Sequence, residues 1–216
     1  MFGHDLLLIG TISEFVVLRQ AFVVVSRVIT ETLSDYHAVL APPDPTFTGA
    51  LMSNFLIRPF EEKDWPAIWP IFRGIVAARE TYTYPPDADE GYARTLWLAA
   101  PPAQAVVAVD EDGEILGTAK MGPNQMGPGA HVATASFMVN PAHQGQGVGR
   151  ALGEYALRWA REQGFRAMQF NAVVSSNRAA VSLWQALGFE IVGTVPEAFQ
   201  RANGEYVDLY VMYRRL

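Results

Sequence analysis

Val139-Asn-Pro-Ala-His-Gln144-Gly145-Gln146-Gly147-Val148-Gly149-Arg150 joins an apolar segment directly to a segment with helical periodicity. Its three glycines leave the joint without large side chains, so backbone N–H groups can approach a ligand closely. Free N–H groups at a helix N-terminus, together with the positive end of the helix dipole, bind phosphate. Arg150 would add a positive charge in the first turn. The pattern favours a site for a phosphorylated ligand, although an ordinary surface turn would also contain glycines.

The spacing of these glycines differs from two well-known nucleotide motifs. A P-loop needs Gly-Lys-Ser/Thr after its glycines, and a dinucleotide fingerprint places glycine at the first, third and sixth positions. Counted from Gly145, the glycines here occupy the first, third and fifth positions. The elements around the turn must therefore decide what it binds.

A strand-helix-strand unit is predicted around the turn. Residues 131–139 have the pattern of a strand, and residues 167–173 that of the next one. Between them, apolar residues recur at helical spacing at Val148, Leu152, Tyr155, Ala156 and Trp159. Asn177 can cap a second helix, which ends at Gly188.

The remainder of the chain after residue 54 predicts more strands and two helices. Apolar or alternating segments predict strands at residues 55–59, 105–109, 115–121, 189–195 and 206–213. Helices are expected at residues 64–78 and 90–98, and residues 111–113 read as a hairpin turn. This order of elements indicates an α+β fold with a mixed sheet flanked by helices.

Composition excludes several kinds of protein. Half of the 216 residues are hydrophobic (50%) and 18% are charged, which is typical of a globular protein with a sizeable core. There is no cysteine, which rules out disulfides, thiolate metal sites and a cysteine nucleophile, and we expect no metal. The net charge of -6 and the scattered basic residues give no footprint for nucleic acid or for an anionic membrane.

Residues 1–51 differ from the rest of the chain. Their apolar clusters are interrupted by charges, so no membrane span is expected. The basic residues that begin a secretory signal are also missing. We therefore expect a cytoplasmic protein. One interpretation is an amphipathic helical extension before a domain at residues 52–216; the other is that Met52 is the natural start and that the extension comes from an over-long gene model.

Two blocks of this sequence resemble the GNAT N-acetyltransferase superfamily. The first is Gln144-x-x-Gly147-x-Gly149 after a strand that ends in Val139-x-Pro141, and the second runs from Asn177 through Leu183-Trp184 to Gly188-Phe189. The resemblance covers residues 54–216. Within the superfamily, the sequence around Phe170-Asn171 is similar to fungal acetyltransferases of proline analogues, and phosphinothricin-type acetyltransferases are another plausible relative.

The resemblance implies a splayed central sheet and acetyl-CoA as the cosubstrate. Met138, Val139 and Asn177 would contact it, and the backbone of residues 144–150 would hold its pyrophosphate. The amine of a small molecule would attack the thioester directly, with no covalent enzyme intermediate. Homodimers are common among such relatives, so a homodimer is a further expectation.

The catalytic groups are harder to assign. The superfamily often uses a tyrosine as general acid where this chain has Trp184, and an indole N–H is far too weakly acidic for that role. No carboxylate lies in the strand at residues 131–139 to act as base. The candidates are Asn171 and Asn177, which could orient a water or donate to an oxyanion. Asn177 could equally be only a helix cap, whereas Asn171 lies in an apolar strand where a buried amide would need partners.

The acceptor pocket is expected near residues 80–86. Glu80 could attract an ammonium group, Tyr82 or Tyr84 could wall a small apolar amine, and Thr134 would face it from the strand. Alternatively, the segment is a loop packed by its own aromatic rings. Three functions stay open: acetylation of a small amine such as an amino acid, acetylation of a peptide or protein amine, and a non-catalytic acyl-CoA sensor.

Overall fold

The computed structural model describes residues 54–98 and 100–216. The two interpretations of residues 1–51 and of a start at Met52 fall outside the described residues. Within them, no helix has the length and the apolar character needed to cross a membrane.

One mixed sheet of seven strands organises the described chain, in the order β1-β2-β3-β4-β5-β7-β6. The strands are β1 Phe55–Pro59, β2 Gln104–Asp110, β3 Ile115–Pro123, β4 Val132–Val139, β5 Ala167–Val174, β6 Glu190–Gln200 and β7 Tyr206–Arg215. All neighbouring strands are antiparallel except β4 and β5. The antiparallel neighbours β1 to β4 form one half of the sheet, and β5, β7 and β6 form the other.

Four α-helices flank this sheet in the described part of the chain: α1 Trp65–Ala77, α2 Glu90–Trp97, α3 Val148–Glu162 and α4 Arg178–Ala186. Side chains alternate across β2, so that Val106 packs with α3 and α4 while Val107 packs with α1 and α2. Both faces of the sheet are therefore covered, which explains why β2 is a continuous apolar run.

The two halves of the sheet separate between β4 and β5. These parallel strands pair only at Val132 with Ala167 and at Ala133 with Met168. Beyond those pairs the edges of β4 and β5 diverge and leave backbone groups of β4 without a neighbouring strand. The expected mixed, splayed α+β sheet is confirmed.

The predicted elements match the observed ones closely, with one notable exception. Strand β6 continues five residues past the predicted end at Val195, to Gln200. Its pairing with β7 shifts register between Val195 and Phe199, and Glu197 has a left-handed φ of 50°. Because a bulge of this kind interrupts the alternating pattern, the extension is not readable from periodicity.

Candidate active site

The glycine turn leads into α3 without any side-chain cap. Gly147 is the N-cap residue, with φ 84° in the left-handed region, and no side chain accepts from the first turn of the helix. The other helix beside the split is capped differently, because the Asn177 side chain accepts from the Ala180 N–H of α4 at 3.2 Å. The first N–H groups of an α-helix have no intrahelical partner, so those of α3 are available to an anion.

The space around this turn suits a diphosphate. A Cβ atom built on Gly145 or Gly147 would meet nothing within 4 Å, so both glycines border open space on an exposed turn. Gly149 is different: its Cβ position is 3.5 Å from Val139 and 3.6 Å from Leu183, so it lies on the packed side. A phosphate cradle predicted at residues 144–150 is consistent with these contacts.

Two charged side chains border the turn. Arg150 is exposed and lies 3.5 Å from Glu154 one helical turn later, a weak pair that leaves the guanidinium in solvent. His143 Nε2 contacts Glu114 at 2.9 Å, and the hydrogen bond to this carboxylate raises the pKa of His143. His143 and Glu114 are 29 residues apart, so local sequence patterns do not predict this pair.

A cavity of about 340 Å³ opens where β4 and β5 separate. Its wall brings together the predicted residues Tyr82, Tyr84, Thr134, Asn171 and Asn177, and it adds Ser136, Phe137, Phe170, Ala180 and Trp184. Residues from the α1–α2 connection, β4, β5 and α4 thus meet at one place. Glu80 does not line the cavity.

The Tyr82 hydroxyl occupies the free edge of β4. It donates to the Phe137 carbonyl at 2.7 Å and accepts from the Phe137 N–H at 3.0 Å. One phenol thereby satisfies both backbone groups that β5 leaves unpaired at this position. Burial raises the pKa of Tyr82 above its ordinary value, so the hydroxyl stays protonated. We predicted a wall residue here, and the contact with Phe137 gives Tyr82 a second, structural role.

Tyr84 belongs to an aromatic stack beside this edge. Its ring lies 5.2 Å from that of Tyr82 and 6.0 Å from that of Phe72. Lys120 Nζ sits 5.9 Å from the Tyr84 ring and donates to the Leu96 carbonyl at the end of α2. Burial lowers the pKa of Lys120. The loop therefore packs through its own aromatic rings, as one alternative required, and Tyr84 also lines the cavity.

Asn171 is exposed, so the expectation of a buried amide in β5 was wrong. The pairing of β5 with β7 shifts register between Phe170 and Val173, and this irregularity leaves Asn171 exposed at the cavity. Its Nδ2 donates to Asn124 Oδ1 at 2.6 Å, and its Oδ1 accepts from Gln169 at 2.7 Å. Asn171 thus lies at the cavity within a row of three hydrogen-bonded amides, with Gln169 from β5 and Asn124 from the end of β3.

Asn177 caps α4, as one of its two predicted roles required, and it also lines the cavity. Trp184 is 7% exposed and lies with its ring 4.7 Å from Phe137 and 4.9 Å from Phe170. These rings give the cavity an apolar floor where the superfamily often has a tyrosine hydroxyl.

Glu80 is held by an arginine from the other half of the sheet, and the expectation that it attracts an ammonium is not supported. Arg201 Nε donates to Glu80 Oε2 at 2.9 Å, and a second guanidinium nitrogen lies 2.8 Å from the same oxygen. A paired carboxylate offers little net attraction to a second cation. The partners are 121 residues apart, beyond the reach of local sequence patterns.

Of the strand residues expected to contact a cosubstrate, Met138 and Val139 face opposite sides. Met138 is 1% exposed within the core under α1 and α2, so its side chain is closed to a ligand. Val139 is half-buried and packs with the core under α3. Thr134, also half-buried, lines the cavity from the same strand.

The structure thus combines a splayed mixed sheet with an uncapped glycine turn at the start of α3. A family model described as the acetyltransferase (GNAT) family matches residues 67–189. The chain belongs to the GNAT acetyltransferase family, and the prediction of an N-acetyltransferase is confirmed at this level.

Known proteins support the same assignment. A GCN5-related N-acetyltransferase from Kribbella flavida is 55% identical, with a TM-score of 0.73 over 76% of this chain and 98% of its own. N-acetyltransferase aca1 of Schizosaccharomyces pombe is 32% identical over 111 residues, 51% of this chain and 53% of aca1, so the match spans about half the length of that relative. L-amino acid N-acetyltransferase AaaT of Escherichia coli is 29% identical over 167 residues, 76% of this chain and 99% of AaaT.

Proposed function

We propose that this protein transfers an acetyl group from acetyl-CoA to the amine of a small molecule such as an amino acid. The observation that carries the proposal is the uncapped N-terminus of α3, at open glycines, directly beside the split between β4 and β5. A diphosphate at residues 144–150 would place the rest of a linear cosubstrate along the free edge of β4. The name of the relative AaaT supports an amino-acid acceptor.

Acetyl-CoA, when bound, supplies an activated acyl thioester. The N–H groups at residues 145–150 would bind its phosphates, and the backbone of Val139, on the same edge of β4 as that of Phe137, would pair with its amide-bearing arm, whereas the Met138 backbone groups face β3. The Phe137 N–H points to the split, where the Tyr82 hydroxyl accepts from it. This N–H is therefore engaged, and a developing oxyanion would be stabilised by the side-chain amides of Asn171 and Asn177 at the cavity.

The acceptor amine must lose a proton, and the described cavity wall holds no Asp or Glu. Asn171 and Asn177 present amide groups at the cavity and can hold a water that carries the proton away. Trp184 cannot protonate a departing thiolate, since its indole N–H is a very weak acid. The chemistry therefore rests on positioning and on hydrogen bonding, with solvent as the proton reservoir.

The size of the cavity favours a small acceptor. About 340 Å³ accommodates a free amino acid, and Tyr84, Thr134 and Ser136 line it with hydroxyl groups. A peptide or protein amine is the second candidate function, because the mouth between the α1–α2 connection and β5 is open to solvent. The two candidates differ in how much of the acceptor lies outside the cavity.

The test is thiol release from acetyl-CoA across free amino acids, proline analogues, phosphinothricin-like compounds and short peptides. We expect amine-dependent release with free amino acids or their analogues. Faster release with short peptides than with every free amino acid would overturn the small-molecule assignment. Tight CoA binding with no release on any amine would overturn catalysis altogether and leave an acyl-CoA sensor.

We also propose a homodimer. Edge strand β6 exposes Ile191, Val192 and Val195 at 38%, 57% and 48%, and an exposed apolar edge favours association. Light scattering of the full chain is expected to give twice the monomer mass, and replacing Val192 with Lys is expected to shift it to the monomer. A monomeric wild-type protein at micromolar concentration would refute the dimer.

A further inference from the structure

A second cavity of about 360 Å³ lies next to the cavity at the split. The two share Tyr82, Thr83 and Tyr84. The remaining wall of the second cavity comes from the α1–α2 connection and from β6: Arg79, Pro85, Pro86, Ala198, Phe199 and Gln200. The rings of Tyr82, Tyr84 and Phe199 thus form an aromatic side of this cavity, and Arg79 gives it one formal positive charge.

Arg79 holds a backbone conformation that suits glycine better. It follows Ala78, the C-cap of α1, and its φ of 53° lies in the left-handed region. Glycine is the usual residue at this position of a helix end, and a side chain there costs about 1–2 kcal/mol. An arginine at such a site indicates that its side chain has a role that offsets this strain.

The guanidinium of Arg79 has no acidic partner among the described residues. Among these residues, an N–H of the guanidinium donates a long hydrogen bond of 3.3 Å to Gln200 Oε1. The neighbouring carboxylate, Glu80, is already engaged by Arg201. Arg79 is half-buried. A partly desolvated cation with only a neutral partner favours an anion in the adjoining space.

We propose that Arg79 binds a carboxylate of the amine acceptor, so that the preferred acceptors are amines that carry a carboxylate, with free amino acids foremost. This inference rests on the proposed acetyl transfer. The carboxylate would pair with the guanidinium, and the apolar part of the acceptor would lie on the aromatic side made by Tyr82, Tyr84 and Phe199. The shared residues 82–84 connect this position to the split, where the amine must arrive.

The test compares acceptors that differ only in the carboxylate. Thiol release is measured for the best free amino acid and for its carboxamide, with wild type, Arg79→Gly and Arg79→Lys. Wild type is expected to prefer the amino acid, and Arg79→Gly to raise its KM about 10- to 100-fold while leaving the carboxamide nearly unchanged. Arg79→Lys should keep part of the preference, because it retains the charge without the planar fork.

Stability separates a binding role from a structural one. Glycine relaxes the left-handed backbone, so Arg79→Gly is expected to melt at or above the wild-type temperature. Arg73→Ala, an exposed arginine on α1, is the control and should leave the acceptor preference unchanged. Equal KM values of wild type for acid and carboxamide, or an unaltered preference in Arg79→Gly, would overturn the proposal.

A second readout distinguishes this proposal from failure of the proposed reaction. Calorimetric binding of the N-acetyl amino acid and of its carboxamide, with CoA present, needs no turnover. Tighter binding of the acid that disappears in Arg79→Gly supports the site even if no amine releases thiol. Absence of both binding and turnover would overturn the carboxylate site together with the reaction.

Discussion

Gly147 performs two tasks that no other residue type combines. Its left-handed φ of 84° turns the chain from the loop into α3, and its missing side chain keeps the entrance to the helix N-terminus open. Tyr82 is the complementary case on the opposite side of the split, where a single hydroxyl replaces a missing strand partner. Gly147 leaves the first N–H groups of α3 free, whereas Tyr82 pairs with the N–H and the carbonyl of Phe137.

Replacing Gly147 with Trp is expected to abolish measurable CoA binding in calorimetry. A side chain at this position would extend into the space that the phosphates need, and its left-handed φ would add a strain of about 1–2 kcal/mol. Gly164→Trp is the matched control, because Gly164 follows the other end of α3 with φ 79° and also has nothing within 4 Å of its Cβ position. Wild-type CoA affinity in Gly147→Trp would refute the placement of the cradle.

Tyr82→Phe is expected to reduce turnover about tenfold while CoA affinity changes little. The phenylalanine ring can keep the packing, but the Phe137 N–H and carbonyl lose their partner, so the free edge of β4 beside the cavity is no longer held in place. The measurement pairs steady-state thiol release with CoA calorimetry. Tyr92→Phe, on the exposed face of α2, should behave as wild type. Reduced stability with unchanged turnover would assign the hydroxyl to folding alone.

At the scale of elements, the start of α1 depends on a buried carboxylate. Asp64 is 4% exposed, receives two hydrogen bonds of 2.7 Å from Arg58, and accepts from the Glu61 N–H at 2.8 Å. The hydrogen bond from Arg58 lowers the pKa of Asp64 below its ordinary value of 3.8. This cluster ties β1 to α1 and so fixes the helix that carries Arg79 at its other end.

Asp64→Asn is expected to lower the free energy of unfolding by about 2 kcal/mol at pH 7. Because the folded-state pKa is depressed, the contribution of Asp64 is fully present above its ordinary value of 3.8 and is lost as the pH falls through the folded-state value. The difference between wild type and variant in urea unfolding should therefore shrink below about pH 4. Glu62→Gln removes an exposed pair with Arg94 and should cost far less. A difference independent of pH would contradict this account.

The elements also show which features of the structure local sequence patterns predict and which they do not. Helix α3 and strand β4 follow from local periodicity, and the glycine turn between them is contiguous, so the fold and this turn were predictable. The contacts of Glu80 with Arg201 and of Tyr82 with Phe137 join residues 121 and 55 positions apart. Asn171 was placed wrongly because an irregular β5 changes which side chains are buried, and periodicity assumes a regular strand.

At the scale of the molecule, the separation of β4 from β5 creates the candidate active site. Two half-sheets, held together by two residue pairs between β4 and β5, diverge and open a cavity whose wall is drawn from four separate parts of the chain. The pairing of Glu80 with Arg201 joins the two halves a second time, because it links the segment after α1 to the segment after β6.

Every strand of this sheet and every candidate site residue lies after residue 54. The family match spans residues 67–189, and the Kribbella flavida relative covers 76% of this chain with 98% of its own length. We therefore predict that a chain beginning at Met52 keeps kcat/KM and CoA affinity within about twofold of the full chain, because it retains every described strand and every candidate site residue. Thiol release and thermal melting of both chains measure this, with Gly147→Trp in the shorter chain as the inactive reference. A loss of tenfold or more in kcat/KM, or a clearly lower melting temperature, would mean that residues 1–51 take part in the folded enzyme and would rule out an over-long gene model.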